Sequence, residues 1–250
     1  AAAERKTVKV TKKYDMYGYV ERIPLKGIRK ATARRMAESW EKVPRVTHMD
    51  EADVTTLVRL REKAKKEAEG KGVKLTYLPF LIKACIAALK EYPYLNATLE
   101  EEREEIVLKK YYNIGIATDI GEGLMVPVVK GADQKPVFEI AREIEALAKA
   151  AQARTIDLAD LKGGTFTITN IGVIGGTYAT PIINYPEVAI LATGKIHEKP
   201  VAREGKVEVR KVLPLSLSFD HRVADGAYAA RFVTRLIEYL ENPGLLFLEK

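Results

Sequence analysis

The sequence predicts an α+β fold, a two-layer sandwich of a mixed sheet with helices on one side. Two observations carry this. Helix-period and strand-period segments are intermixed along the chain, without the regular strand–helix–strand alternation of a doubly wound sheet. Several short strand patterns also follow one another with Gly-rich turns between them, as mixed or antiparallel pairing requires. At 250 residues the chain is long enough to close a hydrophobic core in one domain.

Residues 1–20, beginning AAAERKTVKVTKKYDMYGY, are polar and basic without a helical period. They read as a linker or an extended amino-terminal arm, and residues 21–250 as one domain. LKGIRKATARRMAESWEKVP places Ile28, Ala31, Met36 and Trp40 at helical spacing and stops before Pro44. VTHMDEADV alternates like a strand. VTTLVRLREKAKKEAEGKG reads as a helix ended by Gly70 and Gly72. LTYLPFLIKACIAALKEYP is a mostly apolar helix, so both of its faces are expected to be covered.

YLNATLE, EEIVLKK, YYNIGIATDI and GLMVPVVK follow as short strands. PVFEIAREIEALAKAAQA is an amphipathic helix, and DLADLKG a short helical turn. GTFTITNI reads as a strand running into the Gly-rich loop GVIGGTY. EVAILATGKI, EGKVEVRKV and LPLSLSFD are three further strands, and ADGAYAARFVTRLIEYLENP is the last helix. The apolar tail NPGLLFLEK, after the stop at Pro243, can fold onto its own core or into a neighbour's pocket.

Composition narrows the function classes. Hydrophobic residues are 47% and charged residues 30%, the balance of an ordinary globular domain. No apolar stretch has the length of a membrane span and the first residues are no signal peptide, so no membrane partner and a cytoplasmic location are expected. The single cysteine, Cys85, lies in an apolar run and reads as a small buried hydrophobe, not a catalytic thiol. The net charge is +7, but Lys and Arg are interleaved with Glu, as in REKAKKEAEGKG and EEREEIVLKK. That pattern describes solvated helix faces, so no nucleic-acid partner is expected. The abundance of Lys, Glu, Ile and Val points to a thermophilic source. GxxxxGK[ST], GxGxxG, HExxH, CxxC and GxSxG motifs are all missing. With only His48, His197 and His221 available, metal catalysis is not expected.

The strongest local feature is LPLSLSFDHRVADGAYAARF. A nearly continuous apolar strand, residues 212–219, delivers Asp220, His221 and Arg222 into a tight turn, and Asp225 and Gly226 open a helix. In the plain structural reading Asp225 is the helix N-cap, Gly226 supplies backbone freedom, and His221 is a packed histidine. The run H-x-x-x-D-G after a buried strand favours a functional reading instead, because a strand end holds side chains rigidly beside a cavity.

Asp220-His221-Arg222-Val223-Ala224-Asp225-Gly226 resembles the active-site motif of the dihydrolipoyl acyltransferases of 2-oxo acid dehydrogenase complexes. H-x-x-x-D-G alone is shared with chloramphenicol acetyltransferase and with peptide-synthetase condensation domains. THMDEADVT, YYNIGIATD, GLMVPVVK, FTITNIGVIGGTYATPIINYPEVAIL and LSLSFDHR resemble further blocks of the acyltransferase family, in its order. The resemblance runs from about residue 24 to the end. It implies a chloramphenicol acetyltransferase-like sandwich, a homotrimer with active sites between subunits, and trimers built into a hollow cage. The tail is then expected to help join trimers. Coenzyme A is implied as substrate, and the lipoyl group as one carried on an upstream domain. The implied partners are lipoyl domains and, through upstream segments, the decarboxylase and dihydrolipoyl dehydrogenase components.

By the same resemblance His221 matches the general base. Asp225 matches the site-ordering Asp or Asn, Thr169 in TITNIG the oxyanion-stabilising Ser or Thr, and Gly226 a structural glycine. TITNIGVIGG resembles acetyl- and branched-chain-transferring members more closely than succinyl-transferring ones. A thiol with a pKa near about 8.5 needs a base at neutral pH, and a neutral imidazole with a pKa near about 6.5 can supply it. Two rival readings stand beside this one: a free-standing acetyltransferase of small molecules, and a cage-forming scaffold whose catalysis is irrelevant.

Overall fold

The structure is a computed structural model that describes residues 11–121 and 123–248. In chain order its elements are β1 (Thr11–Tyr14), β2 (Tyr19–Arg22), α1 (Gly27–Lys42), β3 (Arg45–Asp53), α2 (Thr55–Gly70) and α3 (Leu78–Glu91). Next come β4 (Ala97–Glu100), β5 (Glu105–Leu108), β6 (Ile114–Asp119), β7 (Leu124–Met125), β8 (Val128–Val129) and α4 (Val137–Ala153). β9 (Phe166–Asn170), β10 (Ala189–Thr193), β11 (His197–Arg203), β12 (Lys206–Asp220) and α5 (Gly226–Glu241) complete the chain.

Eight strands form one mixed sheet in the order β11-β12-β10-β9-β6-β7, with β3 also on β12 and β8 on β6. β9 runs parallel to β6 and β10, and the other pairs are antiparallel. Because strand side chains alternate, the sheet has one greasy face and one small, polar face. Ile116, Ile168, Leu191, Leu217 and Phe219 share the first face with α2, α3, α4 and α5, and Cys85 is buried there within α3. Burial also pushes the Cys85 thiol up, away from a reactive thiolate.

Thr167, Thr169, Ala192, Ser216, Ser218 and Asp220 lie on the second face. Residues 171–188 and the end of α1 cover part of it. Ser39 Oγ donates to the Ile183 carbonyl at 2.6 Å, Val43 and Ile183 pack on Ile190, and Tyr178 Oη donates to Glu51 at 2.6 Å.

Four local expectations change. α1 does not bury the stripe through Ile28, Ala31, Met36 and Trp40. It lies at the surface, with Ser39 its buried residue and Trp40 61% exposed. EGKVEVRKV and LPLSLSFD are one strand, β12, uninterrupted by Pro214. The proline is tolerated because it lies opposite the bend at residues 194–196 that joins β10 to β11, where no ladder donor is needed. β11 was not foreseen, since HEKPVAR has no apolar alternation and takes its strand form from pairing with β12. GLMVPVVK splits at Pro127 into β7 and β8.

Within the expected arm, residues 11–22 fold into an exposed hairpin, Thr11 opposite Arg22, paired only with itself among the described residues. Residues 1–10 of that arm lie outside the described residues, and β2 runs across position 20. In the tail, Leu245 and Leu246 pack on the core while Phe247 and Leu248 are 87% and 79% exposed. Among the described residues no helix is long and apolar enough to cross a membrane, and no cluster of three His, Cys, Asp or Glu could hold a metal.

Candidate active site

The carboxyl end of β12 runs between β3 and β10 and is buried through Asp220. There the chain turns. The Asp220 N–H donates to the Val188 carbonyl at 2.8 Å. Its buried carboxylate accepts the Arg222 backbone N–H at 3.0 Å and the Arg222 guanidinium at 3.0 Å (Nε) and 2.7 Å (Nη2). Arg222 Nη1 reaches on to Glu101 at 2.8 Å, and the two acids hold the guanidinium above its ordinary pKa. This fork pins the residues on both sides of His221. His221 donates its backbone N–H to the Pro44 carbonyl at 3.1 Å, and its ring lies 5.8 Å from that of Phe219. The residue is exposed, so its imidazole is open to a ligand.

Asp225 is the N-cap of α5, accepting the Tyr228 N–H at 2.7 Å. The expected need for backbone freedom at Gly226 is not met. Its φ is not in the left-handed region, and a Cβ there would meet nothing within 4 Å.

Thr169 is half-buried on β9, on the second face, flanked in register by Ala117 and Ala192. These small neighbours leave space over its hydroxyl, which has no hydrogen-bond partner among the described residues. Two positions along, Thr167 Oγ1 donates to Glu187 at 2.6 Å, and Asn184 donates to the same carboxyl at 2.8 Å. Burial outweighs both donors and pushes the Glu187 carboxyl up to about 7. The loop after β9 is locked by a close backbone crossing. A Cβ on Gly194 would stand 2.0 Å from the Thr177 carbonyl oxygen, so only glycine fits.

Thr169, Ala192 and Ser216 form one row across three strands, and His221 lies five residues beyond Ser216. Strand spacing and rise then put Thr169 about 20 Å from His221 within one chain. The structure exposes the imidazole and the hydroxyl but does not bring them together.

A cleft of about 230 Å³ lies near Thr169, at the ends of β9 and β10, lined by Leu57, Tyr77, Leu81, Asn170, Thr193 and Leu240 among others. A second, of about 400 Å³, opens beside the His221 turn between Trp40, Val43, Pro44, Arg45, Thr47 and Thr180. The roles of Asp220, Arg222 and Glu187 were not read from the sequence. The acid directly before the histidine and the arginine after it were the available signal for the fork.

Comparison with known proteins places the chain in a family. Residues 17–248 match the family described as 2-oxoacid dehydrogenases acyltransferase (catalytic domain). The chain is 49% identical over 225 residues to the dihydrolipoyllysine-residue acetyltransferase component of pyruvate dehydrogenase complex of Bacillus subtilis (strain 168), covering 90% of this chain and 51% of that protein. It therefore spans about half the length of such relatives.

Among solved structures it resembles Azotobacter vinelandii dihydrolipoamide acetyltransferase, studied for the role of a serine, a histidine and an asparagine in catalysis. The TM-score is 0.90 at 44% identity, over 92% of this chain and 95% of that one. A cubic core of the pyruvate dehydrogenase multienzyme complex matches at TM-score 0.90 and 43% identity, over 92% and 95% of the two chains. Chloramphenicol acetyltransferase shares the fold, at TM-score 0.51 and 17% identity over 83% and 94%. On the match to residues 17–248 and the identity to its members, the chain belongs to the family of 2-oxoacid dehydrogenase acyltransferase catalytic domains.

Proposed function

We propose that this chain transfers an acyl group, with acetyl preferred, between a dihydrolipoyl thiol and the thiol of coenzyme A. His221 acts as general base, Thr169 as oxyanion donor, and Asp225 orders the turn. One observation carries the assignment: an exposed histidine held at a strand end by flanking clamped residues. A spacing supports it. In the Azotobacter vinelandii enzyme the studied serine stands 52 residues before the histidine and the asparagine four after it. Thr169 and Asp225 stand at the same offsets from His221.

The chemistry follows from the groups present. His221 takes the proton of the incoming coenzyme A thiol, and the thiolate attacks the acyl-lipoyl carbonyl. The Thr169 hydroxyl donates to the oxyanion that forms, an interaction worth on the order of 3 kcal/mol in the transition state. The carbon–sulfur bond to the lipoyl group then breaks, and His221 returns the proton to the departing sulfur. A thioester replaces a thioester, so no metal or covalent enzyme intermediate is required.

Because Thr169 and His221 of one chain stand about 20 Å apart, the working site combines His221 of one copy with Thr169 of the next. A cyclic trimer closes such a head-to-tail contact and makes every site equivalent. Trimers then join into a hollow cage, with Phe247 and Leu248 as exposed contact residues. Residues 1–20 serve as the arm leading to upstream lipoyl domains, through which the decarboxylase and dihydrolipoyl dehydrogenase are held. Location in the cytoplasm of a heat-adapted cell fits the exposed Lys–Glu pairs one helical turn apart in α1, α2 and α4.

The test is a rate comparison with acetyl-, isobutyryl- and succinyl-coenzyme A against dihydrolipoamide, in wild type and His221→Ala. Acetyl transfer is expected to be fastest, and His221→Ala to lose at least several hundredfold in turnover while keeping its melting temperature. Near-normal transfer by the variant removes His221 from the mechanism.

A further inference from the structure

We infer that Glu187 is a positioning residue for acyl transfer: its buried carboxyl sets the place of Thr169 through Thr167 on the same strand. This rests on the proposal above that the Thr169 hydroxyl receives the oxyanion.

Thr169 has little of its own to hold it. Its hydroxyl makes no hydrogen bond among the described residues, and Ala117 and Ala192, which flank it in register, offer no side-chain wedge. Its place therefore depends on how β9 is held next to it. Residues two apart on a strand stand on one face about 7 Å apart, so a shift at Thr167 is carried to Thr169. Thr167 is buried, and its hydroxyl donates to Glu187 Oε2 at 2.6 Å.

Glu187 is itself firmly anchored. Asn184 Nδ2 donates to its Oε1 at 2.8 Å, and the Glu187 N–H donates to the Asn184 carbonyl at 3.1 Å. The next residue, Val188, accepts the Asp220 N–H at 2.8 Å and packs with Ala97 and Val223. The carboxyl thus reaches out to the threonine strand from the turn that carries His221. Two glycines leave room for the pair. A Cβ on Gly115 would stand 2.8 Å from Thr167 Oγ1, and one on Gly164 2.7 Å from Glu187 Oε1. Neither glycine has a left-handed φ, so the space, not backbone freedom, is what they supply. Among the described residues the carboxyl makes no ion pair, and a buried acid without a cation is a poor stabiliser. Its ionised form accepts at both oxygens, which leaves Thr167 and Asn184 only the donor role and gives the cluster one arrangement.

The test is acetyl transfer from acetyl-coenzyme A to dihydrolipoamide by the assembled protein, carrying Glu187→Leu, Thr167→Val or Glu187→Gln. Glu187→Leu keeps a similar volume without the two bonds, and Thr167→Val removes only the hydroxyl. Each is expected to lower kcat about tenfold while both KM values stay near wild type, because a displaced oxyanion donor weakens the transition state alone. Glu187→Gln, which can bond both partners, recovers most of kcat. In a Thr169→Ala background, Glu187→Leu and Thr167→Val are expected to cost less than about twofold, since the group they displace is gone. Should Glu187→Leu fail to assemble, Thr167→Val and its combination with Thr169→Ala decide the question. Wild-type kcat in Thr167→Val, or a loss undiminished in the Thr169→Ala background, overturns the inference and leaves the acyltransferase assignment standing. Absence of any transfer by the wild type would sink that assignment instead.

Discussion

Arg222 closes a fork on the buried carboxylate of Asp220 only two residues away, and His221 stands between them. The pair turns a strand end into a fixed platform for the imidazole. Arg222→Ala leaves a buried carboxylate without its cation. Since Arg222 keeps about a third of its side chain in solvent, the expected cost is roughly 2 kcal/mol rather than that of a fully buried pair. Denaturant midpoints check the stability, and kcat is expected to fall as well, because the turn loses its clamp. A variant with unchanged kcat would show that the fork serves folding alone.

The separation of Thr169 from His221 makes a complementation experiment decisive. Thr169→Ala is expected to lose roughly a hundredfold in kcat with little change in coenzyme A affinity. His221→Ala and Thr169→Ala copies, unfolded and reassembled together, pair an intact histidine with an intact threonine at up to about a quarter of sites. Activity well above either variant alone is the expected result. Mixed assemblies as inactive as their parents would rule out sites between copies.

Glu187 should make stability depend on pH. Burial raises its carboxyl from 4.5 to about 7, so folding takes up a proton between these values. Its stabilising contribution is complete below about pH 4.5 and is lost as pH rises through about 7, a change on the order of 3 kcal/mol. Glu187→Gln, which can still bond Thr167 and Asn184, is expected to flatten this slope and to exceed wild type in stability at pH 8. Urea midpoints from pH 5 to pH 8 measure it, and a level wild-type profile would refute it.

The Asp225 cap separates two roles. Asparagine caps as well as aspartate, so Asp225→Asn is expected to keep stability and most activity. Asp225→Ala loses the bond to the Tyr228 N–H and about 1 kcal/mol. Melting curves and kcat for both variants check this, and equal melting of the two would remove the cap from the account.

The buried helices were legible because their periodic apolar residues face one core, as in α3 and α5. The family's motif was legible because His221 and Asp225 sit in a contiguous run. Trp40 misled because an aromatic at helical spacing is ordinarily core, whereas here it stacks on Arg45 at the surface. β11 was invisible because its pairing energy comes from β12, not from its own side chains. Glu187 carried no local signal: its titration depends on being sealed between Thr167, Asn184 and the sheet.

Local pattern and motif thus determined the α+β class, the helix-bearing face and the histidine that could do the chemistry. Only the tertiary structure decided that Asp220 belongs to Arg222, that Arg45 stacks on Trp40, and that Thr169 points from the same face about 20 Å from His221. The reason is geometric. Side-chain alternation and periodicity are written residue by residue, but distances across a sheet arise from strand order and register, which no single segment contains.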